Sequence, residues 1–481
     1  MNYAIVFRLL GYVMLIEGAL LLLPAAASWI YGEWFVLGVF LITAAVSAAI
    51  GYALRGIKPQ SKVFYMREGF AATSLSWIVI SIVGAVPFVV TGCIPNPVDA
   101  LFETVSGFTT TGASILPGVE DLPKGILFWR SFTHWIGGMG VLVFLLCLLP
   151  MSGGGYSMNL MKAESPGPSV SKLVPKVRST AKLLYGLYVA LSLLELALLL
   201  LGSMPLFDAL CTTFGTAGTG GFGIKNSSIG EYSAYIQSIV TIFMILFGIN
   251  FNVYFLLYMR KPKEALRCEE AGWYLAIIAV STLIITVFIR NSFPDLVTAF
   301  RHAAFQVGSI ITTTGFSTVD FNVWPAVPRA ILVLLMFIGA CAGSTGGGIK
   351  VSRIVLLFRT MTREIGQIIH PHMVKKLKFE GRVVGQEVLR SVNAFMVAYV
   401  LIFAVSTLFV CLDGFDLVTS FTAVAATLNN IGPGLEMVGP IGNFSCFSDL
   451  SKIVLIFDML AGRLEIFPLL VLFFRDTWKK F

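Results

Sequence analysis

Thr109-Thr-Thr-Gly-Ala-Ser114 is the stretch on which the fold turns, because it returns. Ile311–Thr318 reads Ile-Thr-Thr-Thr-Gly-Phe-Ser-Thr. Gly218–Phe222 reads Gly-Thr-Gly-Gly-Phe, and Asn429–Gly434 reads Asn-Asn-Ile-Gly-Pro-Gly. Aligning the four on one glycine selects Gly112, Gly220, Gly315 and Gly432. They stand about a hundred residues apart, the signature of an internal repeat. The likeness extends upstream: Phe102 and Phe305 each sit ten residues before their glycine, followed by Glu103 and Gln306. Every copy lies between two apolar stretches.

Those stretches dominate the composition. Of 481 residues, 57% are hydrophobic and only 12% charged, where a soluble domain has about a quarter charged. The chain therefore reads as a membrane protein. Its net charge of +8 does not imply a nucleic-acid partner, because Lys and Arg collect in short segments between apolar runs, as the positive-inside rule expects. Membrane lipid is the surrounding it implies. Seven scattered cysteines without a CxxC pair read as small core residues. His370-Pro-His372 reads as a solvated loop. Paired acids or a nucleophile–base set at membrane depth would mark an intramembrane enzyme; neither is visible, so no enzyme is expected.

Apolar runs near 4–24 and 35–54 are each long enough to cross a bilayer of ~30 Å, and the first is expected to be a retained helix. Arg55, Lys58, Lys62 and Arg67 then place the N-terminus inside. Residues 1–60 form a two-helix preface, followed by units at 61–165, 166–264, 265–385 and 386–481. Each unit has a long helix, a short segment and a second long helix: 69–92 with 125–150, 181–203 with 233–258, 272–290 with 326–358, and 391–411 with 450–474. Basic clusters after each second helix stay inside only if the middle segments do not cross.

The middle segments, 97–108, 205–216, 295–311 and 415–428, are too short to span. They begin near Pro97, Pro205, Pro294 and Gly414, with Asp99, Asp208, Asp295 and Asp416 close to the first turn. Proline and an acid suit a helix start, so these read as re-entrant half-helices entering from outside. The expected fold is an all-α polytopic protein with ten spanning helices, four re-entrant helices and pseudo-fourfold arrangement. Non-helical backbone at that depth must line a wet cavity or be wrapped in protein. Four glycine turns would gather carbonyls able to replace the hydration shell of a monovalent cation. The predicted ring comprises Thr110, Thr111, Gly112; Gly218, Thr219, Gly220; Thr313, Thr314, Gly315; and Asn430, Ile431, Gly432. No carboxylate falls among them, which suits K⁺ better than a divalent ion.

Ser106-Gly-Phe-Thr-Thr-Thr-Gly112, Cys341-Ala-Gly-Ser-Thr-Gly-Gly-Gly-Ile-Lys350, Asn429-Asn-Ile-Gly-Pro-Gly434 and Gly462-Arg-Leu-Glu-Ile-Phe467 together resemble the Trk/Ktr/HKT superfamily of potassium transporters. The likeness covers essentially the whole chain and is greatest to the bacterial Trk-type membrane subunit. It implies K⁺ uptake through one pore formed by four membrane–pore–membrane repeats in the cell inner membrane, with both termini cytoplasmic. It also implies a homodimer and a cytosolic nucleotide-binding ring as partner, for which the basic segment 359–390 is the expected docking surface. K⁺ is the transported ion, and no organic cofactor is expected. The second loop is richer in small residues than the family pattern, which bears on how strictly it selects.

Ala340–Gly348 interrupts the second helix of the third unit with small and hydroxylated residues, and glycine runs weaken a helix. The break reads either as a packing kink or as a mobile segment below the ring; the resemblance favours the second. The expected gate is Gly343, Ser344, Thr345, Gly346, Gly347, Gly348 and Lys350. Arg463, ionisable inside the last apolar helix, is a functional flag by default. It would either pair with Glu465, Asp458 or a carbonyl, or, as the resemblance implies, face the pore. The principal rival mechanism is a symporter coupling K⁺ to Na⁺ or H⁺. That usually needs an ion-coupling carboxylate near the midplane, for which Asp458 and Glu465 are the only candidates on the inner helices.

Overall fold

A computed structural model describes residues 1–57, 64–140, 177–372 and 376–479. The protein is an all-α, multi-pass membrane protein whose described strands are one two-residue pair, Lys378–Phe379 with Arg382–Val383. The preface is α1 (Tyr3–Leu20), running on into α2 (Leu22–Ile30), and α3 (Trp34–Arg55). Glycines let α1 and α3 cross closely: a Cβ at Gly11 would stand 2.7 Å from the Gly51 carbonyl oxygen. Small residues at such crossings are how apolar helices associate in lipid.

Four units follow, each a long helix, a short helix, a glycine turn and another helix. They are α4 (Met66–Val90), α5 (Pro97–Phe108) and α6 (Lys124–Gly138); then α7 (Val177–Leu201), α8 (Leu206–Gly218) and α9 (Ala234–Phe247), with α10 (Phe251–Tyr258) after a break. The third unit has α11 (Glu269–Ile289), α12 (Leu296–Ile311), α13 (Ala326–Ile338) and α14 (Val351–Ile369). The fourth has α15 (Gln386–Val410), α16 (Leu417–Leu428) and α17 (Asp449–Arg463).

Against the expectation of ten spanning helices, with an interruption already expected at Ala340–Gly348, fewer run unbroken among the described residues. Among the described residues six helices are long and apolar enough to cross a membrane, or seven if α9 and α10, bent by 89°, count as one. The second helix of each unit is the part that differs. α13 ends at Gly339, at φ +71°, where the backbone of Gly347 and Gly348 approaches too closely for a side chain. α17 ends at Arg463, with Glu465 and Ile466 both at positive φ. The glycine run marks the break after α13 in the sequence, whereas after α17 apolar residues continue while the backbone leaves the helix. Residues 141–150, Lys58, Lys62, Lys162, Lys172, Lys176, Lys375 and Lys480 lie outside the described residues.

The short helices start as their sequences imply, with one adjustment. Asn96 caps α5, accepting from Val98 N–H at 2.9 Å, with Pro97 in the first turn. Asp295 and Asp416 cap α12 and α16, accepting from the N–H groups of Thr298 at 3.1 Å and Thr419 at 2.9 Å. Hydrogen bonds from those threonines hold both carboxyls below their ordinary pKa. Asp99 and Asp208 do not cap: Asp99 pairs with Lys452 at 2.5 Å, and Asp208 accepts from Tyr232 Oη at 2.8 Å.

Candidate ion site and the segment beneath it

All four short helices end alike. The N–H groups of Thr111, Gly220, Thr314 and Ile431 donate to carbonyls five residues back, at 2.9, 2.8, 2.9 and 2.8 Å. Thr110, Thr219, Thr313 and Asn430, each one residue earlier, are left-handed at φ between 54° and 60°. This six-to-one closure is the Schellman helix end. Two residues beyond each left-handed position stands a glycine at positive φ: Gly112, Gly221, Gly315 and Gly432.

That corrects the register of the second loop. The counterpart of Gly112 is Gly221, so the structurally equivalent triplet is Thr219, Gly220 and Gly221. Gly218 is the last residue of α8, packed on the His134 backbone. Counting along Gly-Thr-Gly-Gly cannot settle which glycine takes the special conformation; the helix end does.

The four turns close a ring. A Cβ at Gly112 would overlap the carbonyl oxygen of Gly220, one at Gly221 that of Thr314, and one at Gly315 that of Ile431. At Gly432 it would stand 2.8 Å from the Thr111 carbonyl oxygen. Each loop thus touches the next in chain order, and the fourth returns to the first. The ring is buried and uncharged: Thr110, Thr111, Thr219, Thr313, Thr314, Asn430 and Ile431 are at most 1% exposed. Asn430, where the other loops carry Thr, donates to Thr111 Oγ1 and to the Met459 carbonyl, both at 2.9 Å.

The segment Gly339–Lys350 lies directly against two of these turns. Gly347 N–H donates to Thr313 Oγ1 at 2.6 Å, and Gly348 N–H to the Asn429 carbonyl at 3.1 Å. A Cβ at Gly346 would stand 2.7 Å from the Thr312 carbonyl oxygen. Of the expected gate residues in this segment, Gly346, Gly347 and Gly348 touch the turns. Gly343 instead accepts from Phe251 N–H at 3.1 Å, and Ser344 Oγ donates to the Cys341 carbonyl at 2.7 Å. Thr345 Oγ1 reaches the Phe247 carbonyl at 3.2 Å. Lys350, buried and at φ +86°, donates its ammonium to the Gly346 carbonyl.

Arg463 joins three parts of the chain. It donates to Thr110 Oγ1 at 3.2 Å, to the Thr345 carbonyl at 2.9 Å, and to the carbonyls of Gly137 and Gly138 at the end of α6. Glu465 pairs with Arg353, and Asp458 accepts from Ser406 Oγ at 2.7 Å. Of the alternatives read from the sequence, the carbonyl one describes the contacts, and one of those carbonyls, that of Thr345, lies in the segment against the ring.

Two groups escaped the sequence reading. Glu270 on α11 accepts from Ala342 N–H at 2.7 Å, Ser352 N–H at 3.1 Å and Asn250 Nδ2 at 3.3 Å, so it ties down both ends of the interrupting segment. Glu270 lies just before the predicted span 272–290, so the signal for an acid inside a span did not apply to it. Removing an acceptor from buried N–H groups costs their desolvation. Glu270→Ala is therefore expected to lower unfolding free energy by about 3 kcal/mol, read by denaturation in detergent. A loss under about 0.5 kcal/mol would mean the segment is held elsewhere. The second group is Glu103 with Arg130, a buried pair at 2.6 Å.

A family model described as "TrkH: Cation transport protein" matches residues 37–480. The chain is 38% identical to the Trk system potassium uptake protein TrkH of Salmonella typhimurium and 37% to that of Escherichia coli K12, each over 100% of both chains. The crystal structure of the potassium transporter TrkH from Vibrio parahaemolyticus superposes with a TM-score of 0.89 at 33% identity, covering 100% of each chain.

Proposed function

This chain belongs to the TrkH family of cation transport proteins, and from that premise we propose that the ring of four glycine turns is its K⁺ filter. The protein takes up potassium across a membrane. The observation that carries the filter assignment is the cyclic contact of the four turns, each too close to its neighbour for any side chain at Gly112, Gly221 or Gly315. A dehydrated K⁺ would exchange water for backbone and threonine oxygens there, with the C-terminal ends of α5, α8, α12 and α16 each adding a partial negative charge. Flow is channel-like, driven by the membrane potential at ~2.3 kcal/mol per charge per 100 mV.

Gly339–Lys350 and Arg463 form the gate in this reading, because both donate hydrogen bonds to filter threonines. Lys350 anchors the segment to itself. Both termini are cytoplasmic, the protein works as a homodimer, and a cytosolic nucleotide-binding ring docks on the basic segment 359–390. Exposed Arg382 and Arg390 support that docking.

The test is the reversal potential of proteoliposomes under opposed K⁺ and Na⁺ gradients. A value near the K⁺ potential, insensitive to pH, is expected. A potential that follows the proton or sodium gradient would replace the channel by a symporter.

A further inference from the structure

The second filter loop is nearly bare of side chains, Gly220-Gly221-Phe222-Gly223, so something else must fix it. Two residues of α6, one turn apart on the same face, pack on it. His134 Nε2 accepts from Phe222 N–H at 3.2 Å, and its Nδ1 bonds the Gly107 carbonyl at 2.7 Å. Its ring occupies the space a side chain at Gly220 would need. Arg130 donates to the Gly223 carbonyl at 2.8 Å and stacks its guanidinium 3.6 Å from the Phe222 ring centroid. The same guanidinium holds Glu103 at 2.6 Å, and Glu103 accepts from Ser114 Oγ at 3.0 Å and Ile115 N–H at 2.9 Å. One buried cation therefore links the outgoing strands of loops 1 and 2.

The other units do without it. The seventh residue of α6 is Arg130; the seventh of α9, α13 and α17 is Val240, Leu332 and Leu455, each fully buried. At the position of Glu103, nine residues before the ring glycine, stand Thr212, Gln306 and Ala423. An aliphatic side chain thus fills this site in three units. A buried ion pair is seldom the more stable choice where apolar packing fits. Its retention beside the glycine-rich loop calls for another role.

We propose that Arg130, acting through Glu103, Phe222 and Gly223, is a positioning residue that sets the spacing of loops 1 and 2 and so the K⁺/Na⁺ discrimination of the filter. The inference rests on the filter assignment above. Its test is the double variant Glu103→Gln with Arg130→Leu, which copies the third unit's own Gln306 and Leu332 and so is expected to fold. Permeability ratios come from reversal potentials in proteoliposomes, and folding from thermal unfolding. The K⁺/Na⁺ ratio should fall about tenfold, which corresponds to about 1.4 kcal/mol, while cation flux persists. A folded double variant with the wild-type ratio overturns the proposal. If the double variant does not fold, Arg130→Lys decides. It keeps the charge but lacks the planar fork that reaches carboxylate, carbonyl and ring together. A lowered ratio there supports the proposal, and a wild-type ratio overturns it. A wild-type protein without K⁺ preference would instead refute the filter reading itself.

Discussion

Gly112→Ser is expected to move the reversal potential from the K⁺ value toward the Na⁺ value, with the permeability ratio falling tenfold or more. Two costs act together. Gly112 is at φ +79°, where an L residue loses about 1–2 kcal/mol. Its new Cβ would also occupy the space of the Gly220 carbonyl oxygen, so loops 1 and 2 must separate. A separated ring holds a dehydrated K⁺ less closely than water does, and the preference over Na⁺ goes with it. The graded series is informative. Gly221→Ala and Gly315→Ala meet the next loop's carbonyl as directly, whereas Gly432→Ala has 2.8 Å to Thr111 O and should be milder.

The register of the second loop has its own test. Gly220→Ala collides with the His134 ring, and Gly221→Ala with the Thr314 carbonyl. Adding His134→Ala, which also removes one brace of that loop, should therefore recover part of the K⁺ selectivity of the first and leave the second impaired. Rescue of both, or full selectivity in folded Gly112→Ser, would remove the ring from the ion path.

The second large effect is expected at Arg463. In proteoliposomes holding this chain alone, Arg463→Ala should raise K⁺ flux by about thirtyfold. A fixed positive charge beside the ion path costs a K⁺ on the order of 2 kcal/mol at an effective dielectric constant of about 20, and the hydrogen bonds to Thr110 and Thr345 that join the ring to the Gly339–Lys350 segment are lost as well. Arg463→Lys keeps the charge but cannot serve four acceptors at once, so its flux should fall between. The measurement is ⁸⁶Rb⁺ uptake into proteoliposomes at matched protein density. Flux unchanged or lower in a folded Arg463→Ala protein would reject the gating role.

How much of this was legible beforehand can be followed residue by residue. The four short helices fall almost where proline, acid and apolar length put them, because helix starts are local chemistry. Gly112, Gly315 and Gly432 were found by repetition alone. Gly221 was missed by one position because the second loop offers adjacent glycines, and composition cannot say which takes φ +78°. Seven of the residues from Gly343 to Lys350 drew attention as a glycine run, yet only Gly346, Gly347 and Gly348 lie on the ring turns.

The sequence by itself determined that this is a polytopic helical membrane protein in which a neutral, glycine-bearing turn follows each of four short helices. Those properties depend on residue type and spacing within one unit. Only the tertiary structure decided that the turns close on one another, that the chain also breaks after α9 and α17, and that Arg463 joins Thr110 to Thr345. It alone showed Arg130 and Glu270 bracing loops far away in the chain. Most of these are contacts between residues distant in the chain, made because buried backbone groups must find partners. Nothing local in the sequence records which partner a carbonyl or guanidinium will meet.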